Sequence, residues 1–412
     1  MKNNAFQIFR SHALPGARSP QSPRHAGEFA LCFLRPMGFL LAGIFLLTGC
    51  LTRHLPAPQA PALKEAFKND FLIGAALNAS VFSGSNAAEA ALVKQQFNSI
   101  SPENVLKWES VHPRPGVYDF TAADRYVQFG VQNHLIIIGH NLIWHHQTPG
   151  WVFRDDRGNY VDRDTLLARM RQHIFTVVGR YRGKIFGWDV VNEALNEDGT
   201  LRDSPWRKII GDDYIAQAFE FAHQADPRAE LYYNDFGLEN EPKRAGAVAL
   251  IKKLQAQGIP ISGIGLQGHY GLDTPSTAQV DETISAFAQL GLKVMITELD
   301  VNVLPTPAGP LDAEISRRFQ PGARWNPYPD SLPDSVQQQL AQRYADLFAV
   351  FLKHRGSLSR VTFWGVTDAD SWLNNYPIPG RTDYPLLFDR AGKPKPAFFA
   401  VLKTARTEPT GK

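Results

Sequence analysis

Two glutamates stand at the far end of apolar runs. Phe186-Gly-Trp-Asp-Val-Val-Asn-Glu193 breaks off in an amide and a carboxylate, and Lys293-Val-Met-Ile-Thr-Glu-Leu-Asp-Val301 delivers Glu298 after Val294, Met295 and Ile296. Two carboxyl groups brought together can divide labour, one moving a proton and the other attacking as a nucleophile. The competing reading, a pair of surface salt bridges, fits poorly with carboxylates placed at the ends of buried strands. The residues after other apolar runs form a coherent set: Glu103-Asn-Val-Leu-Lys-Trp108, His140-Asn-Leu-Ile-Trp-His-His-Gln147, Asn234-Asp235, Gln267-Gly-His269, and Trp364 with Trp372 eight residues on. Amides and carboxylates interleaved with tryptophan suit a sugar, whose hydroxyl edges need hydrogen bonds and whose apolar face stacks on indole. His145 and His146 are adjacent, a spacing that seldom converges on one ion, so a structural role is expected of them.

Such residues need elements that bring them to one mouth. Strands are expected over Phe71–Ala76, Phe97–Ser101, Leu135–Gly139, Ile185–Val191, Glu230–Asn234, Gly263–Gln267, Lys293–Val301 and Arg360–Gly365. The unbroken run Leu135-Ile-Ile-Ile indicates burial on both faces, as in a parallel sheet. A helix is expected after each strand, over Ala87–Gln96, Ala122–Asn133, Thr165–Tyr181, Tyr214–Ala225 with its apolar residues at helical spacing, Pro242–Gln257, Thr277–Leu290, Asp334–His354 and Lys395–Ala405. Eight alternations in about 340 residues predict a single (β/α)8 TIM barrel over residues 63–405, with an open doubly wound sheet as the alternative. In either, residues at the carboxyl ends of strands line the ligand crevice. The Pro- and Gly-rich segment Val303–Leu332 is long for a βα loop and is expected to hang over that face.

The chain has 412 residues, 44% hydrophobic and 20% charged, with a formal charge of +3. Lys2, Arg10, Arg18, Arg24 and Arg35 against Glu28 put +4 in the first 50 residues, which leaves the rest at −1. A near-neutral body offers no electrostatic reason to bind nucleic acid or an anionic membrane. Basic residues, the apolar run Phe39–Leu47 and then Thr48-Gly-Cys50 have the layout of an export signal, and the run is too short to span a bilayer comfortably. Met37 is an alternative start that would remove the basic region. Cys32 and Cys50 are the only cysteines, so the body after residue 50 contains no thiol for disulfides, nucleophiles or metal ligation. Residues 51–62, with Pro56, Pro58 and Pro61, read as an extended linker, and 406–412 as a tail.

Leu47-Thr-Gly-Cys50 resembles the lipobox of bacterial lipoproteins, which implies cleavage before Cys50, lipidation of its thiol, and an exported protein anchored at the outer membrane or cell surface by that lipid alone. From about Leu63 to Leu402 the chain resembles glycoside hydrolase family 10, the endo-β-1,4-xylanases. The most specific stretches are Trp188-Asp-Val-Val-Asn-Glu193, Ile296-Thr-Glu-Leu-Asp300, Ser101-Pro-Glu-Asn104 through Trp108, and Gly139-His140 through Trp151. The resemblance implies hydrolysis of internal xylan bonds with retention, Glu193 as general acid/base and Glu298 as nucleophile.

It further implies that His269 bonds Glu298, that Asn192 contacts the sugar 2-hydroxyl, and that Glu103, Asn104 and Lys107 bind one sugar further out. His140, Trp144 and Gln267 would line the cleavage subsite between Trp364 and Trp372. Gln147 and Trp372 are expected to exclude the hydroxymethyl group of glucose. Xylan and xylo-oligosaccharides are the expected partners, a monomer the expected state, and no metal or cofactor is needed. The chain departs from the family at Asn234-Asp-Phe-Gly237, where Asn-Asp-Tyr-Asn is common, which puts leaving-group contacts in question. A barrel glycosidase of another β-1,4-glucan, and a surface glycan-binding protein without catalysis, are the alternatives.

Overall fold

Apolar β-branched runs separated by helix-bearing stretches of a dozen residues or more can pair in parallel through crossovers, and seven such crossovers link the eight strands. The computed structural model describes residues 61–307 and 318–406. The strands are β1 Leu72–Leu77, β2 Ser99–Pro102, β3 Ile136–Ile143, β4 Gly187–Asn192, β5 Glu230–Asp235, β6 Gly263–Leu266, β7 Lys293–Asn302 and β8 Leu358–Phe363. Neighbours in sequence are neighbours in the sheet, every pairing is parallel, and β1 pairs β8, with Leu72 opposite Arg360. The sheet is therefore a closed barrel, and the open doubly wound alternative is excluded. The expected leader, the linker up to residue 60, Cys50 and the tail from 407 lie outside the described residues.

Eight helices cover the barrel: α1 Ala87–Gln96, α2 Thr121–Gln132, α3 Arg163–Arg180, α4 Tyr214–Ala225, α5 Glu241–Ala256, α6 Thr277–Ala288, α7 Asp334–Lys353 and α8 Pro396–Thr404. Their starts follow capping chemistry: Asn86 accepts from the Glu89 N–H, Asp162 from Thr165, and Ser276 with Gln279 forms a reciprocal capping box. One core lies between sheet and helices, with Ile100, Tyr126, Val177, Phe219, Ile251, Ile284 and Phe348 at 0% exposure. Burying a large aliphatic or aromatic side chain in this way stabilises by about 1.5–3 kcal/mol. A smaller layer inside the barrel is made by Ile138, Tyr232 and Met295. Trp188 belongs to the core between sheet and helices and covers Gly139, where an added Cβ would lie 2.1 Å from the indole.

One expectation needs correction. β3 runs on past Gly139 to Ile143, because His140 still pairs with Asp189 of β4 and, across a register shift, Ile143 pairs with Val191. β7 covers the expected Lys293–Val301 and one residue more, and its last residues pair with a short extension strand, His269–Gly271. The described part of the 303–332 segment packs on the loop after β8. Phe319 N–H donates to Pro377 O at 3.0 Å, Thr382 N–H to Asn326 Oδ1 at 3.0 Å, and Tyr384 Oη to Tyr328 O at 2.8 Å.

Candidate active site

The register of β4 against β5 decides where Glu193 goes. The strand slips between Asp189 and Val191, Asn192 then pairs with Asn234, and Glu193 follows with its N–H donated to Asn234 O at 2.9 Å. Its carboxylate is buried and accepts three neutral N–H donors: Trp144 Nε1 at 2.7 Å, Gln267 Nε2 at 2.8 Å and Asn192 Nδ2 at 3.1 Å.

Glu298 sits where β7 slips against β8, between Ile296 and Leu299, the kind of irregularity that re-aims a side chain. Its Oε1 accepts from Asn234 Nδ2 at 2.8 Å, and its Oε2 lies 3.2 Å from His269 Nε2. Burial works to raise the Glu298 pKa, but the His269 hydrogen bond, the His140 and His269 imidazoles and the Asn234 amide outweigh it and hold the carboxyl below its ordinary range. Burial likewise opposes the charge on His269, yet Asp300 and Glu298 prevail and push it up to about 10. Asp300 binds the other ring nitrogen at 3.0 Å. At neutral pH the site thus holds an imidazolium between two carboxylates.

Asn234 joins the two glutamates. The same amide nitrogen donates to Glu298 Oε1 and to Asn192 Oδ1, each at 2.8 Å, while Asn192 donates onward to Glu193. Its orientation is set by Thr297 Oγ1, which donates to Asn234 Oδ1 at 2.6 Å. A side chain on Gly265 would put a Cβ 2.2 Å from that oxygen, so glycine is required on β6.

The remaining expected residues connect to this centre. Lys107 is buried beneath Asn104 Oδ1 at 2.9 Å and Gln147 Oε1 at 2.7 Å, with its ammonium 4.9 Å from the Trp144 ring centre. Burial lowers its pKa to about 8 against the pull of Glu298, Glu193, Glu103 and Glu109. Glu103 is pushed up to about 7 by burial, with Lys107 opposing and Asp370 adding to the rise. His140 holds Asp189 at 2.9 Å and meets Trp364 edge-on at 5.3 Å. Trp372 Nε1 donates to Asp300 Oδ2 at 2.7 Å, and its ring lies 4.9 Å from His269. Gln147 is bonded to Lys107, Asn104 and Glu109 on the β2 side, whereas Trp372 is bonded to β7.

Trp108 and Trp188 belong to the core, at 2% and 1% exposure. His145 and His146 pack edge-on to Trp144. In the departing stretch, Phe236 lies under Lys243 with 3.4 Å from ammonium to ring centre, and Gly237 takes φ 62°. Asn234 was among the strand-end residues read from the sequence but without its bridging part, whereas sequence reasoning gave Asp300 and Asp189 no role in the site. The i, i+2 spacing of Glu298 and Asp300 along one strand was the available signal, since such residues share a face.

Residues 62–404 match the sequence profile of glycosyl hydrolase family 10. Endo-1,4-beta-xylanase A of Xylanibacter ruminicola is 43% identical over 347 residues, which are 84% of this chain and 94% of that protein. Endo-1,4-beta-xylanase of Geobacillus stearothermophilus is 42% identical over 344 residues, covering 83% of this chain and 98% of its own. Among solved structures, a family 10 endoxylanase retrieved from sugarcane soil metagenome superposes with a TM-score of 0.81 at 45% identity, over 83% of this chain and 99% of that one.

Proposed function

The chain belongs to glycosyl hydrolase family 10, and on that premise we propose that it is a retaining endo-β-1,4-xylanase in which Glu298 is the nucleophile and Glu193 the general acid/base. The observation that carries the assignment is the contrast between two linked carboxylates. Glu298 faces the His269 imidazolium, which favours the anion, whereas the hydrogen bonds to the Glu193 carboxyl come from the neutral N–H groups of Trp144, Gln267 and Asn192. Glu298 attacks the anomeric carbon of the xylosyl unit as Glu193 gives its proton to the departing glycosidic oxygen, and a xylosyl ester of Glu298 forms. Glu193, now a base, takes a proton from water, whose oxygen displaces the ester with net retention.

Asn192 Nδ2 spends one of its two hydrogens on Glu193 and has the other for the sugar 2-hydroxyl, where a bond strengthens as positive charge develops on the ring. Glu103, Asn104 and Lys107 bind the next sugar out. His140, Trp144, Gln147 and Gln267 line the cleavage subsite, and Trp364 and Trp372 form its walls. Xylan and xylo-oligosaccharides are the substrates, and the enzyme acts as a monomer. The order of basic, apolar and Leu-Thr-Gly-Cys50 segments supports export and anchoring through lipid on Cys50. Radiolabelled palmitate incorporated by the full chain and not by Cys50→Ala tests the anchor.

The decisive test of activity compares aryl xylobioside with aryl cellobioside and follows the anomeric form of the first product. Turnover of the xylobioside with retained product is expected. Preference for the cellobioside points to another β-1,4-glucan, and binding without turnover points to a non-catalytic glycan receptor. Glu298→Ala should lose hydrolysis and regain reaction with azide to give an inverted xylobiosyl azide; full activity in that variant would remove the nucleophile.

A further inference from the structure

Glu193 is held by its backbone as firmly as by its carboxylate. It takes φ 57°, a left-handed conformation that a residue with a side chain adopts only where its surroundings insist on it. The surroundings are three backbone bonds. Glu193 N–H donates to Asn234 O at 2.9 Å, Glu193 O accepts from Arg202 Nε at 3.2 Å, and the following N–H, of Ala194, donates to the phenol oxygen of Tyr233 at 3.1 Å. The last of these is a side chain of β5 reaching into the turn that aims Glu193.

Tyr233 is itself anchored. It is fully buried, and its hydroxyl donates to Asp235 Oδ2. Asp235 Oδ1 accepts the Phe236 N–H at 2.9 Å and lies 3.1 Å from the Lys243 ammonium, which at 0% exposure is also held 3.1 Å from Glu197 Oε1. A phenol so tied cannot rotate away from the Ala194 N–H without leaving a buried carboxylate short of a donor.

We propose that Tyr233 is a positioning residue for proton transfer by Glu193: its phenol oxygen pins the peptide that follows Glu193, fixes the left-handed turn, and so keeps the carboxyl aimed at the glycosidic oxygen. The proposal rests on the reading of Glu193 as general acid/base, and it predicts a defect confined to steps that need that proton. Loss of orientation harms the leaving group that requires protonation and spares the one that does not.

The test is Tyr233→Phe, which keeps the ring, assayed on phenyl xylobioside and dinitrophenyl xylobioside. For the phenyl substrate kcat/KM should fall about tenfold or more, and for the dinitrophenyl substrate, which departs unprotonated, it should stay within about twofold of the parent enzyme. Azide should accelerate turnover of the dinitrophenyl substrate, replacing slow attack by water, and yield the retained xylobiosyl azide. Asp235→Asn, which keeps Tyr233 and weakens its anchor, should show the same signature at smaller amplitude.

Two controls separate the layers of the argument. Tyr232→Phe deletes a phenol on the same strand whose hydroxyl bonds Glu230, and it should leave both substrates unchanged. Glu193→Ala should be far more selective against the phenyl substrate than any of these, and if it is not, the reading of Glu193 itself fails. If Glu193→Ala is selective while Tyr233→Phe and Asp235→Asn lower both substrates equally or neither, Tyr233 is only a packing residue and the proposal is overturned.

Discussion

His269 Nε2 stands 3.2 Å from Glu298 Oε2, with the opposite ring nitrogen 3.0 Å from Asp300. A cation fixed on one side of a nucleophile does two measurable things. It holds the nucleophile ionised, and it ties the stability of the fold to its own proton.

His269→Asn should therefore lower kcat/KM on aryl xylobioside about 100-fold at neutral pH. The acid limb of its pH profile should move to higher pH, because Glu298 is no longer held below its ordinary range. For stability the sign is the reverse of the usual carboxylate case. The folded imidazole is raised to about 10, so its contribution is complete below the unfolded value near 6.5 and is lost as pH climbs towards 10. Urea midpoints of the parent and His269→Asn should converge over that window. Parallel curves would remove His269 as the proton carrier.

Glu103 is pushed up to about 7 and Lys107 down to about 8, so both are charged together only in a narrow range. Charge-assisted hydrogen bonds to a sugar are the stronger ones, and KM is expected to pass through a minimum between about pH 7 and 8. Lys107→Met should raise KM by roughly 10- to 100-fold and abolish the alkaline rise, and Glu103→Gln should abolish the acid one. Steady-state KM for xylotriose from pH 5.5 to 9.5 is the measurement.

Trp372 offers both a face and an N–H. In Trp372→Phe the face remains but Asp300 Oδ2 loses its donor, at a cost of about 1–3 kcal/mol in unfolding free energy. The effect on turnover should appear in kcat, because Asp300 acts through His269. Trp372→Ala should add a rise in KM as stacking is lost. Equal KM for the two variants would argue that the indole is no wall at all.

Beneath the β2 loop, His112 and His173 are stacked among Trp108 and Tyr118, with ring centres 3.6 Å apart for Trp108 and His173 and 3.8 Å for His112 and Tyr118. Burial lowers His112 to about 4 and His173 well below its ordinary value, with His112 adding to the latter. The unfolded chain takes up protons near pH 6.5 that the fold refuses, so stability is complete above that value and falls as pH drops towards 4. His112→Phe should remove roughly 1–2 kcal/mol of the loss between pH 7 and 5. Urea unfolding of both proteins at the two pH values decides it.

The barrel was legible because each of its elements advertises itself locally. The helix over Tyr214–Ala225, for one, follows from apolar residues at helical spacing. The polar clusters after β2, β3, β4 and β6 stand out because parallel strands are otherwise apolar. Strand length was less legible. His140 and Asn141 look like loop residues, yet they lie within β3, since the closed barrel hides their side chains from water and His140 still pairs with Asp189 of β4.

By itself the sequence determined the alternation, the positions of Glu193 and Glu298 at one end of the barrel, and the chemical kind of the residues around them. These depend on period, hydrophobicity and residue type over short spans. Only the tertiary structure decided that one amide of Asn234 would serve both halves of the site, that Asp300 and not a nearer acid would back His269, and that a phenol on β5 would pin the turn at Glu193. Those outcomes rest on register slips between strands and on closure of the sheet. Both are settled by packing among segments far apart in the chain, which no local pattern encodes.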